Sequence, residues 1–128
     1  MARYQMTEIS KKLLNLIKSK QAIIGVIGLG YVGLPLLIRF AEEGFRIIGF
    51  DIDKNKVKKL NKGKSYIKHI DSEFIKKYVS SNSFSATNDF SRLKEVDVII
   101  ICVPTPIGKH YEPDLSFVLN TTKIISTT

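Results

Sequence analysis

The chain alternates between two kinds of apolar pattern. Positions 22–27, 46–50, 84–86 and 96–103 are short, largely apolar runs bounded by glycine, proline or charged residues. Such runs predict strands covered on both faces, as in a parallel sheet. Between them, apolar residues recur three and four positions apart, the period of a helix with one buried stripe. Leu34, Leu37, Ile38 and Ala41 form one stripe, Val57 and Leu60 a second, and Phe74, Ile75 and Tyr78 a third. A last helix, opened by Asp114, carries Leu115, Val118, Leu119, Ile124 and Ile125. Residues 7–19 predict one more amphipathic helix ahead of the first strand. Ile9, Leu13, Leu16 and Ile17 share a face there, with lysines opposite, and the helix is expected to pack on the domain as an appendage.

The residues between these elements agree with the pattern. Gly44 is placed to cap the helix before the second strand. Gly63 ends the helix over 54–61, residues 64–70 read as loop, and Asp71 suits the N-cap of a helix reaching residue 80. Residues 89–93 predict a single helical turn. Pro104 and Pro106 end the fourth strand, because proline cannot donate to a central ladder. Strands alternating with helices predict an α/β fold, a Rossmann-like doubly wound parallel sheet. Right-handed crossovers place its strands in the order 3-2-1-4. A complete dinucleotide fold has six strands, about two more than are legible here. The reading is therefore a truncated sheet in a single domain over 1–128, with 1–20 as the appended part.

The first strand and the glycine-rich turn after it carry the chemistry. Gly28-Leu29-Gly30-Tyr31-Val32-Gly33 stands between strand and helix. Gly28 permits the tight turn, Gly30 lets a pyrophosphate approach the backbone, and Gly33 lets the helix pack closely on the strand. A helix starting near Tyr31 would point unpaired amides and a positive dipole end at the phosphates. Asp51 closes the second strand, where a carboxylate accepts hydrogen bonds from an adenosine ribose and repels a 2′-phosphate. NAD rather than NADP is the cofactor this predicts. Ligands bind such sheets at the switch between strands 1 and 4, which brings 103–107 opposite the glycine loop, with Thr105 offering a hydroxyl.

Composition narrows the classes. At 44% hydrophobic and 25% charged residues the chain is an ordinary globular sequence. No apolar run approaches the ~18 to 20 residues of a membrane span, and residues 1–20 lack the apolar core of a secretory signal. Cys102 is the single cysteine, so no internal disulfide can form, and a cytoplasmic setting fits. It sits in an apolar strand and reads as a buried small hydrophobe, not a nucleophile. The net charge of +8 owes much to seven lysines between Lys54 and Lys68. They read as a solvated face that raises the local concentration of anionic ligands, and with no aromatic interleaving they do not indicate nucleic acid.

These residues resemble the UDP-sugar 6-dehydrogenase family. The matching segments are 25–35, which includes Tyr31-Val32-Gly33-Leu34-Pro35, then 49–53 with Lys56-Val57, and Val103-Pro104-Thr105-Pro106. The resemblance implies that the glycine loop holds the NAD pyrophosphate, and that Asp51 and Lys56 contact the adenosine end. Val103, Pro104 and Thr105 would line the nicotinamide side. Ser65-Tyr66-Ile67-Lys68-His69-Ile70, together with 89–92 and 112–118, resembles the branch acting on UDP-N-acetyl-hexosamines, with UDP-N-acetylglucosamine the favoured substrate. His69 reads as a loop or packing residue, not as a general base.

Family members oxidise the sugar C6 alcohol to a carboxylate in two NAD-dependent steps, through a thioester on a cysteine. The segments that carry that cysteine do not occur in these 128 residues. No catalytic residue and no metal ligand is therefore expected here, and the chain alone should bind NAD weakly and turn nothing over. The apolar fourth strand would be left as an open edge, from which self-association is expected. Two other readings remain: a stand-alone nucleotide-sensing module, and part of a different NAD-dependent dehydrogenase.

Overall fold

The computed structural model describes residues 5–128, so the first four residues of the expected appendage lie outside the described residues. Four strands pair in parallel: β1 (Ile23–Ile27), β2 (Arg46–Phe50), β3 (Phe84–Thr87) and β4 (Val98–Ile101). Their order across the sheet is β3-β2-β1-β4, as the crossover rule predicts. In register, Ile24 lies beside Ile47 on one flank and Val98 on the other. The helices are α1 (Glu8–Lys18), α2 (Gly33–Glu42), α3 (Lys54–Asn61), α4 (Ser72–Ser80) and α5 (Ser116–Thr127).

Side chains alternate across each strand, so the sheet divides the core in two. On one face, Ile24, Val26 and Ile47 meet Leu34 and Leu37 of α2, Val57 and Leu60 of α3, and Ile75 of α4. On the other, Ile27, Ile48 and Phe50 meet the buried Leu93, from a 3-10 turn at Phe90–Glu95, with the half-buried Phe90, Val96, Val103 and, from α5, Ile125 alongside. The second face is the thinner one.

Three local expectations change. The α1 helix forms, with Thr7 accepting from the Ser10 amide as its N-cap, but none of its residues is buried. Ile9 is 82% exposed, and Leu16 alone in this helix is packed against the core. The helix thus meets the domain through Leu16 and leaves most of its apolar face exposed. The fourth strand is shorter than 96–103 because Asp97 interrupts its start. The Asp97 carboxylate accepts from the Ile23 amide at 2.8 Å while its own amide donates to the Ile23 carbonyl. The last helix begins at Ser116, two residues after Asp114, whose carboxylate accepts from the Ser116 amide.

The two edges of the sheet differ. On β3, the Asn61 side chain takes the place of a missing strand: its amide donates to the Ala86 carbonyl and its oxygen accepts from the Ala86 amide, both at 2.8 Å. Among the described residues no equivalent clamp is found on β4.

Candidate functional site

At the end of β1 the chain turns between the ends of β2 and β4. The Gly28 amide donates to the Phe50 carbonyl at 2.8 Å, and the Cys102 amide donates to the Ile27 carbonyl at 2.7 Å. Gly28 has φ +94°, in the region that L side chains avoid, and a Cβ there would lie 2.4 Å from the Cys102 carbonyl oxygen. At Gly33 a Cβ would fall 1.7 Å from the Gly28 carbonyl oxygen, so the helix can lie this close only with glycine. Gly30 is the opposite case, with open space where a side chain would stand.

The α2 helix starts at Gly33, not near Tyr31, because residues 31 and 32 form a turn leading into it. Its N-cap, Val32, has no side-chain acceptor, so no capping side chain answers the first-turn amides. The Leu34 amide donates to the Gly30 carbonyl at 3.1 Å and Pro35 has no amide, so what meets the open approach is the Gly30 amide and the positive end of the helix dipole, an arrangement that suits a phosphate. This loop fits a dinucleotide pyrophosphate.

Asp51 is 8% exposed and is held from two sides. Its Oδ2 accepts from the Leu29 amide at 2.9 Å and its Oδ1 from the Asp53 amide at 2.8 Å. Asp53 in turn caps α3, accepting from the Asn55 and Lys56 amides. The acid at the end of β2 therefore ties the glycine loop to the start of α3. A carboxylate has about four lone-pair positions, which leaves acceptor capacity for ribose hydroxyls.

A cavity of about 500 Å³ opens beside this loop. Gly28, Leu29, Gly30, Asp51, Lys56, Val103 and Pro104, all among the residues expected to hold the cofactor, line it. A second cavity of about 330 Å³ shares Gly30, Asp53 and Lys56 with the first and adds Tyr31, Lys59 and Tyr66. Val32, Gly33 and Thr105 line neither cavity. Val32 is 68% exposed, Gly33 is buried under the loop, and Thr105 lies in the exposed segment after Pro104. Tyr31 is 83% exposed.

Sequence reasoning missed much of the far wall. Phe90 comes from the 3-10 turn, while Phe117, Asn120, Thr121 and Ile124 come from α5. Their signal was present: the helix after β4 must start near the switch point, and Phe117 and Ile124 lie two turns apart on one face. Cys102 also lines this cavity and is only half-buried, not the buried residue its apolar strand suggests, and what burial it has pushes its thiol above the ordinary range. His69 is exposed and lines neither cavity. Lys56 is half-buried, with its ammonium 5.6 Å from the centre of the Tyr66 ring. The Tyr66 hydroxyl donates to the Leu29 carbonyl. The other six lysines of the cluster are exposed.

The parallel sheet, the glycine turn, the uncapped helix and the acid ending β2 define a dinucleotide-binding α/β domain. Residues 22–128 match the model described as the UDP-glucose/GDP-mannose dehydrogenase family, NAD binding domain. The chain belongs to this family, and its cofactor is NAD. It is 40% identical over 97 residues to the UDP-N-acetyl-D-mannosamine dehydrogenase of Pyrococcus horikoshii, with 73% of this chain covered. It is 35% identical over 97 residues to the UDP-N-acetyl-D-glucosamine 6-dehydrogenase of Pseudomonas aeruginosa, with 76% covered. Each match spans only 22% of the relative's length. Among solved structures, the GDP-mannose dehydrogenase of Pseudomonas aeruginosa superposes with a TM-score of 0.76 at 31% identity, over 80% of this chain and 24% of that one.

Proposed function

We propose that this chain is the cofactor-holding part of an NAD-dependent dehydrogenase that oxidises the C6 alcohol of a UDP-N-acetyl-hexosamine, UDP-N-acetylglucosamine in particular, to the uronate. One observation carries the cofactor half: an uncapped α2 N-terminus beneath the open Gly30 position, beside a buried Asp51 and a largely apolar cavity. Gly30, Tyr31, Val32 and Gly33 would supply backbone amides and close approach for the pyrophosphate, while Gly28 and Leu29, whose own amides are held by Phe50 and Asp51, would shape the turn around it. Asp51 would accept from the adenosine ribose and Lys56 would flank it, while Val103, Pro104 and Thr105 would border the nicotinamide end. Thr105 would have to turn inward from its exposed position to do so. Bound NAD supplies the hydride acceptor.

The N-acetyl-hexosamine assignment draws support from Ser65 to Ile70 and from relatives named for both epimers. Residues 1–128 would act as one NAD-binding unit in a reducing cytoplasm. The thin face and unclamped edge at β4 support self-association. Steady-state rates of the protein encoded by the whole gene, with UDP-N-acetylglucosamine, UDP-N-acetylmannosamine and UDP-glucose, test the substrate. The expected order puts an N-acetylated sugar first, and a clear preference for UDP-glucose overturns the assignment. Calorimetry on this chain tests the cofactor, with NAD expected to bind tighter than NADP because Asp51 repels a 2′-phosphate.

A further inference from the structure

We propose that Tyr66 is a positioning residue for the cofactor pyrophosphate, acting by orienting the Leu29–Gly30 peptide of the glycine loop. The proposal rests on the NAD-binding reading above and concerns a residue that this reading leaves without a role.

Leu29 is held by both of its backbone polar groups. Its amide donates to Asp51 Oδ2 at 2.9 Å, and its carbonyl accepts from the Tyr66 hydroxyl. Its side chain is wholly buried. A trans peptide is planar, so the carbonyl of Leu29 and the amide of Gly30 point in opposite directions. Drawing the carbonyl toward Tyr66 therefore turns the Gly30 amide away from Tyr66. That amide donates to no protein group among the described residues, and Gly30 lines both cavities. An amide fixed and unpaired beside an uncapped helix N-terminus is what an anionic ligand requires.

Tyr66 reaches the loop from a short, well-braced segment. The Ser65 amide donates to the Ser72 hydroxyl at 3.0 Å, the Ser65 hydroxyl donates to the Ile67 carbonyl at 3.0 Å, and Ile67 is buried. Burial first, and then the charges of Asp51 and Asp53, push the Tyr66 hydroxyl above its ordinary range. The group thus remains a donor across neutral and moderately alkaline conditions. The ring also faces the Lys56 ammonium, so one side chain sets the position of both a loop amide and a cation.

The test removes the hydroxyl and keeps the ring. Tyr66→Phe should weaken binding of NAD and of ADP about fivefold, while adenosine, which has no phosphate, changes less than twofold. A purely structural loss would weaken all three alike. In the ligand-free chain, the NMR amide signals of Leu29 and Gly30 should shift and those of β3 should not. Tyr66→4-aminophenylalanine, which returns an N–H donor to the same place, should restore NAD and ADP affinity and serves if Tyr66→Phe fails to fold. Unchanged NAD and ADP affinity in Tyr66→Phe overturns the proposal, as does a parallel loss for adenosine. If the unaltered chain binds neither NAD nor ADP, the cofactor reading falls and this proposal with it.

Discussion

The two flanks of the sheet are built to different standards. Toward β3 the structure is closed. Phe84 and Ala86 are buried, α3 and α4 cover them, and Asn61 occupies the edge with a paired amide. The glycine loop, Asp51 and Tyr66 belong to this side and hold one another by direct hydrogen bonds. Toward β4, Val98, Ile99 and Ile100 are only half-buried and Ile101 is 38% exposed. Leu115, Leu119 and Phe117 on the neighbouring helix are exposed too. The same βα alternation thus yields a finished β3 side and an unfinished β4 side. The difference lies in what covers each strand, since β3 and β4 are both four-residue strands.

Substitutions can break this comparison, beginning with the largest effect. Gly33→Ala forces a Cβ against the Gly28 carbonyl oxygen, where neither backbone segment can yield cheaply. It should cost ~3 kcal/mol or more of stability, read by denaturant unfolding, and should abolish NAD binding. Gly30→Ala sharpens the point, because beyond the adjoining residues no protein atom lies within 4 Å of the added methyl. Its stability should stay within ~0.5 kcal/mol of the parent while NAD affinity falls.

Asp51→Ala comes next. It removes a charged acceptor from the Leu29 and Asp53 amides and, on the proposed reading, from the cofactor ribose. Hydrogen bonds to charged groups contribute ~1.5 to 3 kcal/mol each, so NAD should bind about tenfold more weakly or worse. Titration calorimetry with NAD and NADP checks both this loss and the preference. Equal affinities in the unaltered chain would contradict the role given to the carboxylate.

Asn61→Leu opens the closed edge. Two hydrogen bonds to Ala86 are lost, at about 1 kcal/mol each, and urea unfolding should report the loss. Light scattering should then show more self-association than in the parent, because a strand edge with free amides recruits other chains. The smallest effect on stability is expected at the other edge. Ile101→Lys places a charge on an already exposed position and should change stability by ~0.5 kcal/mol or less. It should reduce self-association. A parent chain that scatters as a clean monomer at high concentration would remove the argument from the open edge.

Legibility followed the range of the interaction. The strand order, the helical stripes, Gly28 and Gly33 rest on near neighbours in sequence or on a handedness rule, so a pattern along the chain reveals them. Asp51 is revealed by its spacing from the glycine turn, although its carboxylate meets the Leu29 amide 22 positions away. Asp97 illustrates the limit. In sequence it is a charge spoiling an apolar run, and only its contact with the Ile23 amide, 74 positions away, explains it. Tyr31 marks the family motif and yet stands mostly in solvent, while Tyr66, 37 positions from Leu29, reaches the loop.

Backbone requirements are local. A turn at φ +94°, or a helix so close that a Cβ would fall 1.7 Å from a carbonyl oxygen, demands glycine wherever the chain sits. The sequence by itself therefore determined the turn and the order of strands. Partnership is not local. Which carbonyl Tyr66 finds, which edge Asn61 clamps, and which face of α5 walls the cavity depend on distances between elements far apart in the chain. Packing of the whole sheet sets those distances, and only the tertiary structure decided them.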